Sequence, residues 1–310
     1  MSGVVAVVVT YRRIPELRRL VGCLEATGPE LLGCVVVDHE GRGEVREALA
    51  GSRLDLRVVE DGTNPGPGAG WANGARTALR EFGPGVEAIW YLDDDVVIGP
   101  DCLASLLKEL QKCGGGAMAP LLSDAGGKLW AFPEPREEAL RKLIRKAATP
   151  AEALRLLGGV PLEFCWATGA CLLVSSGLIG EVGFHRDDFW MLGEDLEYSM
   201  RIAVKRAGFF TCRVEVQHLP PAAADAKAAM DSDYRKFLSL LQNLSYLAFH
   251  VSGRGHMWRY LPGNFRRFIR VHGKRRGALG DGLVCFWRGA VLGRPAGSPS
   301  LTMGTGNGSL

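Results

Sequence analysis

The sequence predicts an α/β fold, in which a mostly parallel sheet carries helices on both faces and a helical, basic region follows it. Three observations lead to this class. Apolar runs of strand length alternate with segments of helix length along the first third of the chain. The runs are continuously apolar, as in strands that helices cover on both faces. The chain also has 310 residues, 47% of them hydrophobic, enough for a large domain and an appendage.

The elements of the first part follow one another regularly. Strands are predicted at residues 4–9, 33–38, 54–59 and 88–92, with helices between them at 15–26, 42–50 and 71–82. Pro15 suits the first turn of the first helix, because its fixed φ is already helical. A Gly- and Pro-rich loop over residues 62–70 precedes the third helix.

The later elements are less regular. We predict helices at 101–113 and 194–207, an insertion at 120–160 with a charged helix at 136–145, and strands at 164–174 and 209–216. A helix at 226–251 and a Gly-, Ser- and Thr-rich disordered tail follow. The sequence thus predicts a domain over residues 1–221, a helical basic region over 222–296 and a disordered tail over 297–310.

Polar and acidic residues stand directly after the predicted strands. They are Thr10 and Tyr11, Asp38, Glu60 and Asp61, and the triple acid Asp93-Asp94-Asp95. Ligands of mostly parallel sheets bind beyond the carboxyl ends of the strands. We therefore expect the functional site at this edge of the sheet.

The triple acid is the most unusual of these groups. Three like charges repel one another and cannot be buried without compensation. A divalent cation would resolve the conflict, because hard cations bind carboxylate oxygens. The alternative is a solvated acidic turn without a ligand.

Five stretches of the chain together resemble a known family. They are Val-Val-Val-Thr-Tyr-Arg-Arg at 7–13, Val-Val-Val-Asp at 35–38, Asn-Pro-Gly-Pro-Gly-Ala-Gly-Trp-Ala-Asn-Gly at 64–74, Asp-Asp-Asp at 93–95 and Gly-Glu-Asp-Leu-Glu-Tyr-Ser-Met-Arg at 193–201. In this order they resemble family 2 glycosyltransferases of the GT-A fold, over roughly residues 3–220. Within that family, the glycine-rich loop at 64–74 and a histidine near the end of the resembling region, His218, look most like those of bacterial galactofuranosyl- and rhamnosyltransferases.

The resemblance implies a set of cation ligands. Asp95 would bind Mn²⁺ or Mg²⁺ directly, and Asp93 would reach the cation or the ribose of the nucleotide. His218, after the strand at 209–216, would be the third ligand. The alternative for His218 is a surface turn before two prolines. Asp94 would point toward the sheet, because neighbouring side chains of an extended chain alternate.

The resemblance also implies a catalytic base. Asp195 would take the proton of the acceptor hydroxyl in an inverting transfer. The alternative is that Glu194 and Asp195 only favour the start of a helix through its dipole. Glu197 and Arg201 are spaced for an ion pair on the helix surface.

Several further residues are expected to contact the substrates. Candidates for the nucleotide are Thr10, Arg13, Asp38 and Asn64, together with glycines 66, 68 and 70, where the backbone could approach the donor. The stretch His39-Glu40-Gly41 departs from the usual family pattern. Trp166, Trp190 and residues 185–188 are expected to shape the acceptor pocket, although tryptophans at such positions often belong to the core.

The C-terminal part of the chain is strongly basic. The net charge is +3, but residues 251–310 contain ten Lys and Arg and one acid, Asp281. Basic residues alternate there with large apolar ones, which is typical of a segment that binds an anionic bilayer. Nucleic acid as the partner is disfavoured, because no binding module is visible. The remaining alternatives are a solvated helix and an oligomer interface.

Composition also favours a cytoplasmic protein. The eight cysteines form no CxxC pair, and most have apolar neighbours, as reduced thiols do. The apolar run at 4–9 lacks a basic start, so a buried strand is a better interpretation than a signal peptide. No uncharged apolar stretch reaches the ~18 residues that span a bilayer. We therefore expect a cytoplasmic enzyme, peripheral on the inner face of the membrane.

The resemblance, together with the acidic edge of the sheet, implies an inverting, metal-dependent glycosyltransferase. It would move a sugar, with rhamnose or galactofuranose favoured, from a UDP or dTDP donor to a glycan or lipid-linked acceptor of the cell envelope. Two alternatives remain at this point. A sugar-1-phosphate nucleotidyltransferase would need a Gly-rich basic loop after the first strand, where this chain has Thr-Tyr-Arg-Arg-Ile-Pro. The other is a non-catalytic sugar-binding or membrane scaffold protein.

Overall fold

A computed structural model describes residues 2–219, 233–251, 260–291 and 293. Backbone contacts group these residues into two compact units. The first contains residues 2–64, 70–184 and 198–219, and the second contains 65–69, 185–197 and the described residues after 232. The predicted tail at 297–310 and the start of the predicted helix at 226–251 lie outside the described residues. The predicted division at residue 221 stays a prediction.

The first unit is built on one mixed sheet. Its strands are β1 (Gly3–Thr10), β2 (Leu31–Asp38), β3 (Leu56–Glu60), β4 (Val86–Asp93), β5 (Val96–Val97), β6 (Ala117–Ser123), β7 (Leu129–Ala131), β8 (Glu134–Pro135), β9 (Leu162–Trp166), β10 (Cys171–Ser175) and β11 (Gly208–His218). The strand order is β3-β2-β1-β4-β10-β6-β11-β9-β8, with β5 beside β11 and β7 beside β6.

The core of the sheet is parallel, as the sequence predicted. Strands β3, β2, β1 and β4 are parallel to one another, and β6 is parallel to β11. Strand β10 is antiparallel to both β4 and β6. The single strand predicted at 164–174 is in fact two, because small residues at 167–170 separate β9 from β10 and let each find a different partner.

Helices cover both faces of the sheet. They are α1 (Ile14–Glu25), α2 (Glu44–Leu49), α3 (Pro67–Glu81), α4 (Cys102–Cys113), α5 (Glu138–Ile144), α6 (Pro150–Leu157), α7 (Ser176–Val182) and α8 (Glu194–Val204). Alternate residues of β1 point to opposite faces. Val4 and Val8 pack with α1, α2 and α4, whereas Val5 and Val7 pack with α3, α6, α7 and α8. The α/β class is thereby confirmed.

Helix α3 begins earlier than predicted. Its first residue is Pro67, inside the stretch expected to be a loop, because proline is tolerated in the first turn of a helix. The helix lies very close to β1. A Cβ at Gly70 would come within 2.8 Å of Val9, and one at Gly74 would overlap Val7. These two glycines therefore allow close packing of the helix on the sheet.

The second unit contains three described C-terminal helices. They are α9 (Tyr234–Tyr246), continued by a π-helical turn (Leu247–Val251), α10 (Tyr260–His272) and α11 (Ala278–Ala290). The Asp233 side chain caps α9 by accepting from the backbone N–H groups of Arg235 and Lys236. Phe237, Leu241 and Phe268 form part of the apolar core between the helices. No helix in the described part of the chain is both long and apolar enough to cross a bilayer.

Candidate active site

The polar strand ends meet at one edge of the sheet. Thr10 pairs with Asp38 across β1 and β2, and Val9 pairs with Asp93 across β1 and β4. The parallel register therefore aligns the carboxyl ends of three strands. This is the edge at which the sequence predicted a functional site.

A short strand brings His218 to the triple acid. Strand β5 follows the acids directly and pairs with the end of β11, so that His218 lies opposite Val96. The backbone N–H of Leu219 also donates to the Asp95 carbonyl oxygen over 2.8 Å. The sequence pointed to His218, but not to the strand pairing that holds it there.

Asp93, Asp95 and His218 form a compact cluster in the first unit. The His218 Nε2 atom lies 3.1 Å from Asp95 Oδ1 and 3.8 Å from Asp93 Oδ2. One potential ligand atom from each residue lies within 4.8 Å of the other two. Asp95 and His218 are buried, whereas Asp93 is partly exposed. Two carboxylate oxygens and an imidazole nitrogen at this spacing fit a divalent cation such as Mn²⁺ or Mg²⁺.

The charges of this cluster depend strongly on one another. Burial lowers the pKa of His218, but hydrogen bonds and negative charge from Asp93 and Asp95 outweigh it and raise the pKa to about 9. Burial raises the pKa of Asp95, but His218 and Arg13 outweigh it and lower that pKa. In the protein without a bound cation, the positive charge of protonated His218 thus offsets the negative charge of Asp93 and Asp95. A cation bound by His218 would replace that proton.

Asp94 faces away from the cluster and contacts the end of β1. Its carboxylate accepts from the Thr10 hydroxyl over 2.7 Å and from Arg13 Nη1 over 3.1 Å. Arg13 Nη1 also donates to Asp95 Oδ2 over 2.6 Å. Burial raises the pKa of Asp94 to about 7, against the opposing effects of Arg13 and Thr10. Thr10 and Arg13, expected to contact the nucleotide, thus also hold the acids in place. Their nucleotide role stays a prediction.

Asp38 lies at the same edge of the first unit, and Asn64 follows the end of β3 by four residues. Asp38 is buried, and its Oδ1 accepts from the backbone N–H of Glu40 over 2.9 Å. His39 Nδ1 lies 2.6 Å from the Asp61 carboxylate, which ties the ends of β2 and β3 together. Asn64 has a left-handed backbone, with φ of +46°. Contacts of Asp38 and Asn64 with a nucleotide stay predictions.

Trp130 belongs to this site but was not found from the sequence. Its ring stacks on the His218 imidazole, with ring centroids 3.9 Å apart and planes 17° apart. Trp130 lies on β7, which pairs with β6, and β6 in turn pairs with β11. A single tryptophan in an insertion of unassigned function carries no sequence signal that would link it to a histidine far along the chain.

Asp195 lies in the second unit, in the first turn of α8. Its Oδ1 accepts from the backbone N–H of Leu196 over 2.7 Å. Glu197, expected on the helix surface, is buried, so its predicted place on the surface is wrong. Arg201, in the first unit, donates to the carbonyl oxygens of Val182 and Phe184. The role of Asp195 as a base stays a prediction.

Helix α9 holds the loop that precedes Asp195. Asn243 Nδ2 donates to the carbonyl oxygens of Met191 and Leu192 over 3.0 and 2.8 Å. Leu192 and Gly193 both have left-handed backbones, with φ of +66° and +109°. Tyr246 packs edge-on against the ring of Phe189. Nothing in the spacing of these residues along the sequence indicated this contact.

Within the second unit, the close approach of residue 66 to Trp190 leaves room only for glycine. Gly66 has φ of +103°, and a Cβ there would overlap the backbone oxygen of Trp190. Residues 66 and 68 of the glycine-rich motif thus pack against the segment at 185–197 within this unit. The expected roles of Trp166 and Trp190 in an acceptor pocket stay predictions.

Known proteins resemble this chain in sequence and in fold. The galactofuranosyltransferase GlfT1 of Mycobacterium tuberculosis is 28% identical over 228 residues, 72% of each chain. The N-acetylglucosaminyl-diphospho-decaprenol L-rhamnosyltransferase of the same species is 25% identical over 239 residues, 70% of this chain and 76% of the relative. The crystal structure of residues 1–349 of TarS from S. aureus has a TM-score of 0.53 and 13% identity, covering 92% of this chain and 81% of that one.

A second solved structure supports the same fold. GalNAc-T7 with UDP, GalNAc and Mn²⁺ has a TM-score of 0.55 and 13% identity, covering 86% of this chain and 55% of that one. At this identity the two structures support the GT-A-like fold alone. The family model "Glycosyl transferase family 2" matches residues 5–159, half of the chain, including β1 to β4 and the triple acid. The chain therefore belongs to glycosyl transferase family 2 and is a glycosyltransferase.

Proposed function

We propose that the protein is an inverting, cation-dependent glycosyltransferase with a UDP- or dTDP-sugar donor and a glycan or lipid-linked acceptor. The observation that carries this proposal is the convergence of Asp93, Asp95 and His218 at the carboxyl edge of a family 2 sheet. Relatives named as galactofuranosyl- and rhamnosyltransferases favour galactofuranose or rhamnose as the sugar. Family membership favours glycosyl transfer over the nucleotidyltransferase and scaffold alternatives.

The cluster would hold Mn²⁺ or Mg²⁺ through the two carboxylates and His218 Nε2. A cation bound there supplies charge stabilisation to the diphosphate leaving group. Arg13 donates to both Asp94 and Asp95, so it fixes the orientation of these acids and offsets their charge. Trp130 covers one face of the imidazole and restricts its rotation.

Other residues of the chain would bind the substrates and move the proton. Thr10, Arg13, Asp38 and Asn64 would contact the nucleotide, and Asp93 would serve either the cation or the ribose. Asp195 would accept the proton of the acceptor hydroxyl on its carboxylate as the new glycosidic bond forms. One such displacement inverts the configuration at the anomeric carbon.

The domain organisation that we propose assigns catalysis to residues 1–221 and membrane attachment to residues 222–296. Residues 260–291 contain seven Arg and Lys and one acid. Such a surface favours an anionic membrane, where each basic side chain contributes about 1 kcal/mol. We place the enzyme in the cytoplasm, peripheral on the inner face of the membrane, where lipid-linked acceptors would be accessible.

The cation site is tested by substitutions at its ligands. Asp95→Ala and His218→Ala should each weaken Mn²⁺ binding and abolish Mn²⁺-dependent hydrolysis of the donor. His250→Ala is the matched control, because His250 lies on the C-terminal helical unit and contacts the Ala290 carbonyl oxygen there. Mn²⁺ affinity and donor hydrolysis equal to those of the wild type in both ligand variants would refute the proposal.

The donor is identified by thermal shift in the presence of Mn²⁺. UDP-, dTDP- and GDP-sugars are compared at equal concentration. A ligand at about 100 times its dissociation constant stabilises the folded protein by about 2.7 kcal/mol, enough to raise the melting temperature measurably. Stabilisation by a GDP-sugar alone would contradict the proposed donor class.

A further inference from the structure

The last described helix presents an apolar face to solvent. Leu279, Leu283, Val284, Trp287 and the adjoining Val291 are each between 48% and 60% exposed. At 100° per residue, this spacing places all five on one side of α11. The opposite side is packed, since Gly282 contacts Phe268 and a Cβ at Gly289 would overlap the backbone of Gln242.

Such a concentration of exposed apolar residues is unusual. Single exposed hydrophobic residues are normal on a protein surface, whereas a contiguous apolar patch marks an interaction site. In the first unit, the exposed residues Val160 and Val204 occur singly, Val160 in the loop before β9 and Val204 at the end of α8. The face of α11 is therefore a candidate binding surface.

Basic side chains adjoin this apolar face. Lys274, Arg275 and Arg276 are exposed in the turn that leads into α11, and Arg266 and Arg270 are exposed on α10. The single acid of this region, Asp281, accepts from the Tyr234 hydroxyl over 2.5 Å and lies outside the apolar face. The surface thus combines an apolar strip with a positively charged end.

The apolar surface continues into a cavity. Among the described residues, the lining of a cavity of about 270 Å³ beside Leu283 is apolar, formed by Leu241, Leu261, Pro262, Phe265, Leu283 and Phe286. Leu283 belongs both to the cavity wall and to the exposed face. Both the exposed face of α11 and the cavity beside it could therefore contact the acyl chains of a lipid.

We propose that α11 is the element that inserts into an anionic bilayer. Its apolar face would lie at the boundary between headgroups and acyl chains, with Lys274, Arg275 and Arg276 at the lipid phosphates. A second copy of the chain is a poorer occupant, because pairing this face with itself would bring two positive surfaces together. The inference refines the membrane part of the proposed function and does not depend on its catalytic part.

Within the basic C-terminal part, the structure assigns the apolar contact to α11 rather than to α10. Two large apolar residues of α10 point inward, since Phe268 is fully buried and Leu261 is 5% exposed, and Val271 near the end of the helix is 42% exposed. Helix α10 therefore contributes mainly charge to the surface. The apolar contact comes from α11, which carries only two charged residues in its sequence.

The test is co-sedimentation of the full-length protein with vesicles of phosphatidylcholine containing phosphatidylglycerol. The first variant combines Leu279→Ser, Leu283→Ser and Trp287→Ser, and the second combines Lys274→Gln, Arg275→Gln and Arg276→Gln. The control combines Val160→Ser and Val204→Ser, which removes exposed apolar residues from the first unit. Circular dichroism and the thermal melting temperature establish that each variant is folded.

We expect the apolar variant to lose vesicle binding by about 100-fold at both low and high salt. The charge variant should lose a similar factor, about fivefold per side chain, at low salt only, because salt screens the lipid charge. The control should bind like the wild type. These results would stand even if the wild type hydrolysed no sugar nucleotide, so the two proposals fail separately.

Two outcomes would overturn the inference. One is an apolar variant that binds the vesicles as tightly as the wild type. The other is an apolar variant that is a monomer in sedimentation velocity, where the wild type is a dimer, and that still binds the vesicles. That result would identify the face of α11 as a contact between copies of the chain.

Discussion

Replacing Asn243 by alanine should loosen the loop that leads to Asp195. The Asn243 side chain is fully buried and donates to two carbonyl oxygens of that loop, those of Met191 and Leu192. A non-glycine residue in the left-handed region costs about 1–2 kcal/mol, and Leu192 adopts this region. The amide of Asn243 therefore stabilises the loop in a conformation that costs free energy at Leu192.

The magnitude follows from the two hydrogen bonds. Each buried carbonyl oxygen that loses its donor costs about 1–3 kcal/mol, and water can reach part of the space that the amide leaves. We expect Asn243→Ala to lower the free energy of unfolding by about 2–4 kcal/mol. The turnover of the sugar donor should fall as well, because Asp195 follows the loop directly.

The assay is urea denaturation combined with steady-state kinetics at saturating Mn²⁺. Asn264→Ala is the matched control, since Asn264 lies in the same unit and its Nδ2 donates to the Tyr260 carbonyl oxygen within its own helix, over 2.9 Å. The control should lose less than about 1 kcal/mol and keep the wild-type kcat. Equal losses of stability in the two variants would refute the contribution of Asn243. Lost stability with an unchanged kcat would show that the loop does not position Asp195.

Three further substitutions test other contacts. Trp130→Ala should weaken Mn²⁺ binding by about 2- to 10-fold, since stacking on His218 contributes about 0.5–1.5 kcal/mol. Trp130→Phe should keep most of the wild-type Mn²⁺ affinity, because its ring can still stack. Equal Mn²⁺ titrations of Trp130→Ala and the wild type would contradict this. Gly66→Ala should lower the melting temperature, whereas Gly22→Ala, in an open helical position, should raise it slightly. Thr10→Val should cost about 1–3 kcal/mol in denaturation, because a buried carboxylate loses its donor; an unchanged midpoint would argue against that hydrogen bond.

The strands and the acidic edge could be predicted because their signals are local. The apolar runs that end at Thr10, Asp38 and Asp93 carry their own β propensity and their own polar ends. Parallel pairing then aligns these ends without further information. His218 was located through the resemblance to a family, because no local pattern distinguishes it from a histidine in a surface turn.

The contacts that escaped prediction are long-range. Strand β5 has only two residues, so its pairing with β11 is too short to leave a periodic pattern. The stacking of Trp130 on His218 joins positions on two strands that are connected only through β6. The start of α3 at Pro67 was missed because glycine and proline usually mark a loop, whereas here the glycines allow close helix packing.

The grouping of residues 185–197 with the C-terminal helices changes how the C-terminal region should be tested. Deleting the chain after the sheet would remove Asn243 and Tyr246, which contact the loop before Asp195, together with the basic surface. Even a shorter deletion would remove Phe268, which packs on Phe237 of α9. Loss of activity after truncation would therefore not separate membrane attachment from organisation of the loop. Substitutions on the exposed face of α11 separate the two, because Leu279 and Trp287 point to solvent while the packed side of the helix stays intact.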